Sequence, residues 1–368
     1  NFNNRMDPSA HLLHYPERPL LITRLNKVIN NHKIATGHNI IVAILAYNGY
    51  NQEDAIIINK SSLERGMFNT SYFKTYTEIE FENMEKGSHE QFYSPLHRED
   101  DAEYPDNLAK KFNNYEHLDE NGFIREGTYL KGKEIIIGKY IKIHNDHEDP
   151  DYRDCSKVLK HDNYDSVVDK VYSCYIKSDK SRLCKVRTCQ FRQPVIGDKF
   201  ASRCGQKGTI GMVMEQENMP FTKDGIVPDM LLNPYGYPKR MTMAQFYEIF
   251  ASRLSAELGY FGMANPFEPV NPETIGNLLH KIGLNKYGDV SLYNGSEGRM
   301  MDATIFMGPI YYQRLKHMPT DKINARDSGQ RIMGVAAPSG GYTALERQVV
   351  SGRAMGGGLR IGEMERDA

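Results

Sequence analysis

Apolar residues fall along this chain in two kinds of pattern. Short, nearly unbroken runs rich in β-branched residues come first: NIIVAILA over 39–46 and AIII over 55–58. Runs of that length without polar alternation predict strands buried on both faces. EIIIGKYIKI (134–143) predicts another strand. Partial alternation in SVVDKVYSCYI (166–176) and LCKVRTCQF (183–191) predicts antiparallel strands with one wet face. Helical spacing appears later. Phe246, Ile249, Phe250 and Leu254 recur behind Thr242 and Gln245, which have capping-box spacing, and Gly259 supplies a stop. A second helix is expected from Asn271, with Pro272 in its first turn and Ile275, Leu278, Leu279 and Ile282 as its apolar stripe. Pro8, Pro16 and Pro19 keep the opening 25 residues extended.

These elements predict a mixed α+β fold dominated by strands. Residues from about 80 to 165 differ in kind: stretches such as HREDDAEYPDN read as solvated loops. The division expected is residues 1–69, a β-rich subdomain at 70–193, and 194–368, whose end is rich in glycine and arginine.

Composition narrows the picture. At 368 residues the chain suits two or three domains. A net charge of −1 weighs against simple electrostatic binding of nucleic acid, while leaving room for a local basic cleft. None of the five cysteines forms a C-x-x-C pair, which argues against a disulfide framework or a structural zinc site. No run approaches the ~20 apolar residues that span a bilayer, and no leader pattern opens the chain, so a soluble intracellular protein is expected.

Four constellations could carry chemistry. Glu53-Asp54 sits between two apolar runs; hard oxygen donors at a strand end suit Mg²⁺, while a solvated turn is the alternative. In GDKFASRCGQKGTIG, Lys199, Arg203 and Lys207 recur every fourth residue beside glycines. Such a stretch suits phosphate, although no P-loop spacing is present and a solvated basic face would look the same. Arg240 precedes the predicted helix start, where a cation and free N–H groups together favour an anion; a merely exposed arginine is the alternative. Arg347, Arg353 and Arg360 lie in the glycine-rich tail, which is either a nucleic-acid contact or a linker, with Leu359, Ile361 and Met364 arguing for partial order. The histidines are scattered, and His14, His38 and His317 read as structural.

Six blocks occur in one order: NFNNRMD…YPERPL, GYNQEDAIIINKSSLERGMF, GDKFASRCGQKGTIG, MPFTKDGIVPDMLLNPYGYPKRMT, DKINAR and GGLRIGEMERD. The series resembles the second-largest subunit of eukaryotic, archaeal and large-DNA-virus RNA polymerases. The resemblance implies a double-psi-barrel-like hybrid-binding domain in two parts (1–69 and 194–368), with 70–193 as the wall or flap. It implies DNA-directed RNA polymerase activity only within a complex, because the aspartates holding the catalytic Mg²⁺ belong to the largest subunit. Glu53 and Asp54 would face that metal, and Asp54 would help position a second, nucleotide-borne Mg²⁺. Lys199 and Lys207 match lysines near the RNA 3′ end, and Arg240 an arginine reaching the triphosphate. Arg203, Lys322, Arg326, Arg347, Arg353 and Arg360 fall among the nucleic-acid contacts, the last three in a switch loop. The implied partners are the largest subunit, small assembly subunits, template DNA, RNA transcript and NTPs, with no membrane and no zinc in this stretch.

Departures from that pattern are visible. Cys204 stands where histidine is usual, Tyr235-Gly236-Tyr237 replaces His-Ala-Ile, and Met355 replaces an arginine. The 326–347 interval is longer than usual. These point to a viral or distant eukaryotic enzyme: nuclear if cellular, in a viral factory or virion if viral. The pattern also implies that the chain is a piece of a longer subunit. Two rivals stand beside this reading. One is a non-catalytic nucleic-acid-binding or assembly module. The other is a self-sufficient polymerase, which would need a D-x-D-x-D triad that the sequence lacks.

Overall fold

The computed structural model describes residues 2–83, 88–97, 105, 108–109, 113–132, 134–145, 148–159, 165–176, 181–268, 270–326, 342–343, 345–353 and 356–368. The switch-loop interval 327–341, Met355 and most of HREDDAEYPDN lie outside them. The chain divides into two compact units, Asn1–Lys316 and His317–Ala368. It is β-rich with few helices, in keeping with the mixed α+β expectation.

The first unit is built on six strands: β1 (His38–Ile44), β2 (Ala55–Asn59), β3 (Lys199–Ser202), β4 (Lys207–Met214), β5 (Met230–Leu232) and β6 (Met300–Arg314). They pair in the order β3–β4–β2–β5–β1–β6, and β6 returns to pair with β3, closing the ring. The β2–β4 and β1–β5 pairs are parallel; the other pairs are antiparallel.

The apolar runs explain themselves in this setting. Side chains alternate across a strand. Ile40, Val42 and Ile44 of β1 therefore enter one core with Ile56, Ile58, Phe200, Ile210 and Tyr312. Ala43 and Leu45 enter another with Ile57, Met214 and Leu231. Each fully buried aliphatic side chain contributes roughly 1.5–3 kcal/mol, so these alternating positions fix the register.

The helix α1 (Gly236–Arg240) is followed by α2 (Met243–Leu258) and α3 (Pro272–Lys281). Gly259, at φ 72°, ends α2 as expected. The capping box does not form: Thr242 makes no side-chain cap bond. Gln245 is instead fully buried, accepting from the Ser202 hydroxyl at 3.4 Å and donating to the Tyr237 hydroxyl at 3.0 Å. Spacing alone could not reveal these tertiary partners. In α3, Asn271 caps the Glu273 N–H at 3.0 Å as expected. Its stripe is only half used: Leu279 is buried, while Leu278 and Ile282 remain exposed.

A five-stranded antiparallel sheet joins Ser9–Leu13, Thr70–Ile79, Arg182–Arg192, Ser166–Tyr175 and Tyr129–Leu130 in that order. The expected run over 134–143 divides at Gly138 into Ile135–Ile137 and Lys139–Asn145, which belong to different sheets. The polar stretch after 113 is more than solvated loop. Tyr115, Leu118, Phe123 and Ile124 are buried with Ile135–Ile137 against Tyr76, Val168 and Val186. Their isolation among charged residues hid them from periodicity. The opening segment is extended except for a single helical turn before Arg5 and a short helix over Arg24–Val28.

Candidate functional site at the barrel mouth

Asp54 immediately precedes β2, and Lys207 opens the neighbouring strand β4. The turn before Asp54 is held from inside. Asn51, 1% exposed, accepts from the Tyr47 N–H at 3.1 Å and donates to the Leu45 carbonyl at 2.7 Å. Glu53 then takes a left-handed backbone, φ 53°, which brings Asp54 into line with the strand.

The glycines of GQKGTIG serve this contact. A Cβ on Gly208 would lie 2.7 Å from the Asp54 carbonyl, and one on Gly211 2.6 Å from the Tyr50 carbonyl. Glycine here admits the protein's own backbone, so the carboxylate turn can lie flat on β4, and the Thr209 N–H donates to the Asp54 carbonyl at 3.0 Å. The sequence pattern suggested phosphate for this stretch, whereas these two glycines face the protein's own backbone.

A shallow pocket opens at this point. Its lining includes Glu53, Asp54, Gln206, Lys207, Asn233 and Tyr312. Gln206, Asn233 and Tyr312 escaped the sequence reading, for neutral side chains at strand ends carry no charge signal.

Arg240 reaches Asp54 from another segment. It ends α1, and Met241 in a left-handed conformation separates it from α2, so it follows one helix instead of heading the next. Its guanidinium donates to the Asp54 carboxylate and the two form an ion pair. Both side chains remain open to solvent, 37% and 49% exposed. Lys207 is exposed and Lys199 half-buried. Among the described residues neither lysine has an ion-pair or side-chain hydrogen-bond partner. Lys199 opens β3, and its carbonyl accepts from the Leu315 N–H at 2.8 Å.

Arg203 behaves differently. Its guanidinium donates twice to Glu248 of α2, at 3.2 and 2.6 Å, and once to the Leu21 carbonyl at 2.9 Å. Glu248 is buried, so this charge has a counter-ion inside the protein. Cys204 donates to the same carboxylate at 3.5 Å. Burial and then the neighbouring Glu248 charge push its thiol up to about 12, so it stays neutral. Beside Lys199 a second internal pair is formed: Asp198 and Arg314, 1% and 3% exposed, meet at 2.6 Å. Arg314 also donates to the carbonyls of Phe68 and Arg192, each at 2.9 Å.

The remaining candidates belong to the second unit. Lys322, Arg347 and Arg360 are exposed. The Arg326 guanidinium lies 5.4 Å from the Tyr342 ring centre, and Arg353 donates to the Thr320 carbonyl at 2.9 Å. Leu359, Ile361 and Met364 are exposed, so the short Glu363–Asp367 helix there does not depend on burying them. His38 is structural as expected: Nε2 donates to the His14 and Tyr15 carbonyls, and Nδ1 accepts the Phe68 N–H at 3.2 Å.

Metal chemistry can be tested against the donors. Among the described residues no three His, Cys, Asp or Glu side chains gather into a metal site. Glu53 and Asp54, which line the pocket, would be the carboxylates available to an ion whose remaining ligands were supplied from outside the chain. That suits Mg²⁺, which keeps waters and phosphates and takes one or two protein carboxylates.

Comparison with known proteins bears on the whole chain. The family described as RNA polymerase Rpb2, domain 6, matches residues 1–353. DNA-directed RNA polymerase II subunit RPB2 of Schizosaccharomyces pombe is 41% identical over all of this chain and 29% of its own length. DNA-directed RNA polymerase II subunit 2 of Arabidopsis thaliana is 40% identical, over all of this chain and 30% of its own. DNA-directed RNA polymerase subunit Rpo2 of the archaeon Saccharolobus shibatae is 38% identical, over all of this chain and 31% of its own. The chain thus spans about 30% of the length of these relatives, which are cellular and lend no support to a viral source. With a family match over 1–353 and relatives similar along its whole length, this chain belongs to the RNA polymerase Rpb2 family of second-largest subunits.

Proposed function

We propose that this chain forms one side of the active centre of a DNA-directed RNA polymerase, acting only within the assembled enzyme. One observation carries the reading: Asp54 and Lys207, from separate segments, line one pocket at the barrel mouth, and Arg240 from a third segment pairs with Asp54.

The chemistry that suits this arrangement is phosphoryl transfer. There the protein mainly positions the phosphates and offsets their developing charge. Lys207 and Arg240 would meet triphosphate oxygens, Arg240 through its planar fork and Lys207 as a point charge. Lys199 would face the RNA 3′ end. Asp54, with Glu53 beside it, would hold the nucleotide-borne Mg²⁺ jointly with the largest subunit; when bound, that ion neutralises phosphate charge. The Arg203–Glu248 pair and the buried Asp198–Arg314 pair would hold the segments carrying both lysines.

The finer architecture follows the same reading. A closed six-stranded ring with two parallel pairs is compatible with a double-psi barrel, in which residues 1–69 and 194–368 form the hybrid-binding domain and 70–193 the wall. Lys322, Arg326, Arg347, Arg353 and Arg360 would contact the RNA–DNA hybrid, with the largest and small assembly subunits as partners. In a eukaryotic cell the location would be nuclear.

Cross-linking tests the placement. A photoreactive NTP bound to assembled polymerase on an RNA–DNA scaffold is expected to label the chain beside Lys207 and Arg240. Labelling confined to other subunits would leave a binding or assembly role, the rival reading.

A further inference from the structure

Two passages of the chain between the barrel and the five-stranded sheet meet at one side chain. Phe68 leads into the strand Thr70–Ile79, and Arg192 and Gln193 lead out of the strand Arg182–Arg192. Arg314, the last residue of β6, joins them. Its Nη1 is shared among the Phe68 carbonyl at 2.9 Å, the Thr70 hydroxyl at 3.0 Å and the Arg192 carbonyl at 2.9 Å. Its Nη2 donates to Asp198 at 2.6 Å and to the Gln193 carbonyl at 3.4 Å. Arginine suits this place. Its rigid fork meets several acceptors at once, and Asp198 offsets a charge that would otherwise be costly to bury.

Asp198 carries the connection onward. Its carboxylate also accepts the Val195 N–H at 3.2 Å, and its carbonyl accepts the Ile210 N–H of β4 at 3.0 Å. Lys199 follows directly. Its carbonyl accepts the Leu315 N–H at 2.8 Å, and Phe200 stands opposite Arg314 in the β3–β6 pairing. Arg314 thus meets the neighbours of Lys199 on both sides. Successive side chains of an extended chain face opposite ways. With Asp198 drawn inward to 1% exposure, Lys199 is turned the other way, where it stays half-buried.

We propose that Arg314 is a positioning residue for Lys199, acting through Asp198 and the β3–β6 pairing and anchored at the joint with the sheet. The inference rests on the active-centre reading and deepens it. Lys199 would meet the RNA 3′ end, while a buried guanidinium that touches no substrate sets where the lysine stands. The joint then contributes to the rate of bond formation as well as to the fold.

The test measures single-nucleotide addition at saturating NTP by assembled polymerase on an RNA–DNA scaffold. Each variant is made alone and together with Lys199→Ala. Arg314→Lys keeps the charge opposite Asp198 but loses the fork. Thr70→Val keeps the shape and removes one acceptor at the joint, and it carries the test if Arg314→Lys does not assemble. Lys199→Ala alone should slow addition by at least about 10-fold. Arg314→Lys should slow it about 10- to 100-fold, the range for a displaced active-site group, and Thr70→Val about 2- to 5-fold, as for one hydrogen bond. In the Lys199→Ala background both changes should cost less than about 2-fold, because residues that act through one another are not additive. Effects that multiply would show a purely structural Arg314 and overturn the inference, as would unaltered rates in the single variants. An unaltered rate in Lys199→Ala itself is a different failure: it removes the lysine's part in the active-centre reading, and the inference with it.

Discussion

Lysines at the barrel mouth differ from those that meet Glu78 of the five-stranded sheet. There, two lysines from neighbouring strands share carboxylates. Lys139 reaches Glu78 at 2.8 Å and Glu90 at 3.0 Å, and Lys157 meets the other Glu78 oxygen at 2.6 Å. At the barrel mouth, Lys199 and Lys207 have no such partner among the described residues. Packing differs in parallel. The barrel strand β1 is buried on alternate sides into two cores. The sheet buries one face through Tyr76, Val168 and Val186, and exposes Tyr172 on the other. One region is closed on itself in charge and half-open in packing. The other is closed in packing and open in charge, as expected of a site that awaits an anion.

Experiments can sharpen or break this contrast. The largest effects should come from the sealed interior of the barrel. Phe200→Ala empties a fully buried position and is expected to cost about 3–5 kcal/mol, read by hydrogen exchange across β1 and β6. Ile136→Ala, behind the sheet, should cost about 2–5 kcal/mol but lower protection only there. Equal loss in both regions would mean that they unfold as one. A smaller effect follows at the contact beneath the site. Gly208→Val forces a side chain against the Asp54 carbonyl, with a cost of about 1–3 kcal/mol and displacement of the carboxylate turn. Loss of extension activity beyond the loss of folded protein would mark that displacement.

The sheet's ion network predicts a pH dependence. Burial alone would raise the Glu78 carboxyl, but hydrogen bonds from Lys139 and Lys157 outweigh it and leave the pKa below 4.5. A depressed carboxylate stabilises the fold above its unfolded value. The contribution is therefore present above about pH 4.5 and lost as pH falls below it. Amides of Thr70–Ile79 should lose protection there, and Glu78→Gln should flatten that dependence. The smallest effect is expected at Lys60, which joins Glu215 on the surface. Lys60→Ala should leave both stability and extension nearly unaltered.

How much of this was legible in the sequence depends on whether the signal was local. The runs at 39–46 and 55–58 announced strands because both faces of each are buried, and the Asn271 cap is written within three residues. The charged members of the site could be named from composition and order. Their relations could not. Arg240 pairs with Asp54 across 186 positions, and Arg203 with Glu248 across 45. Both look like free cations in the sequence, yet each meets a carboxylate in the fold. The failure of the Thr242 capping box has the same cause, since Gln245 answers to Tyr237 and Ser202 through the fold.

Single-nucleotide addition by assembled polymerase on a preformed RNA–DNA scaffold tests the central claim most directly, comparing the unaltered chain with Asp54→Ala and Lys207→Ala. Each variant is expected to slow addition by at least about 10-fold while scaffold binding is retained, the loss of one charge contact to the reacting phosphates. Addition at the unaltered rate in both variants would contradict the account and leave the barrel mouth as a surface for binding or assembly.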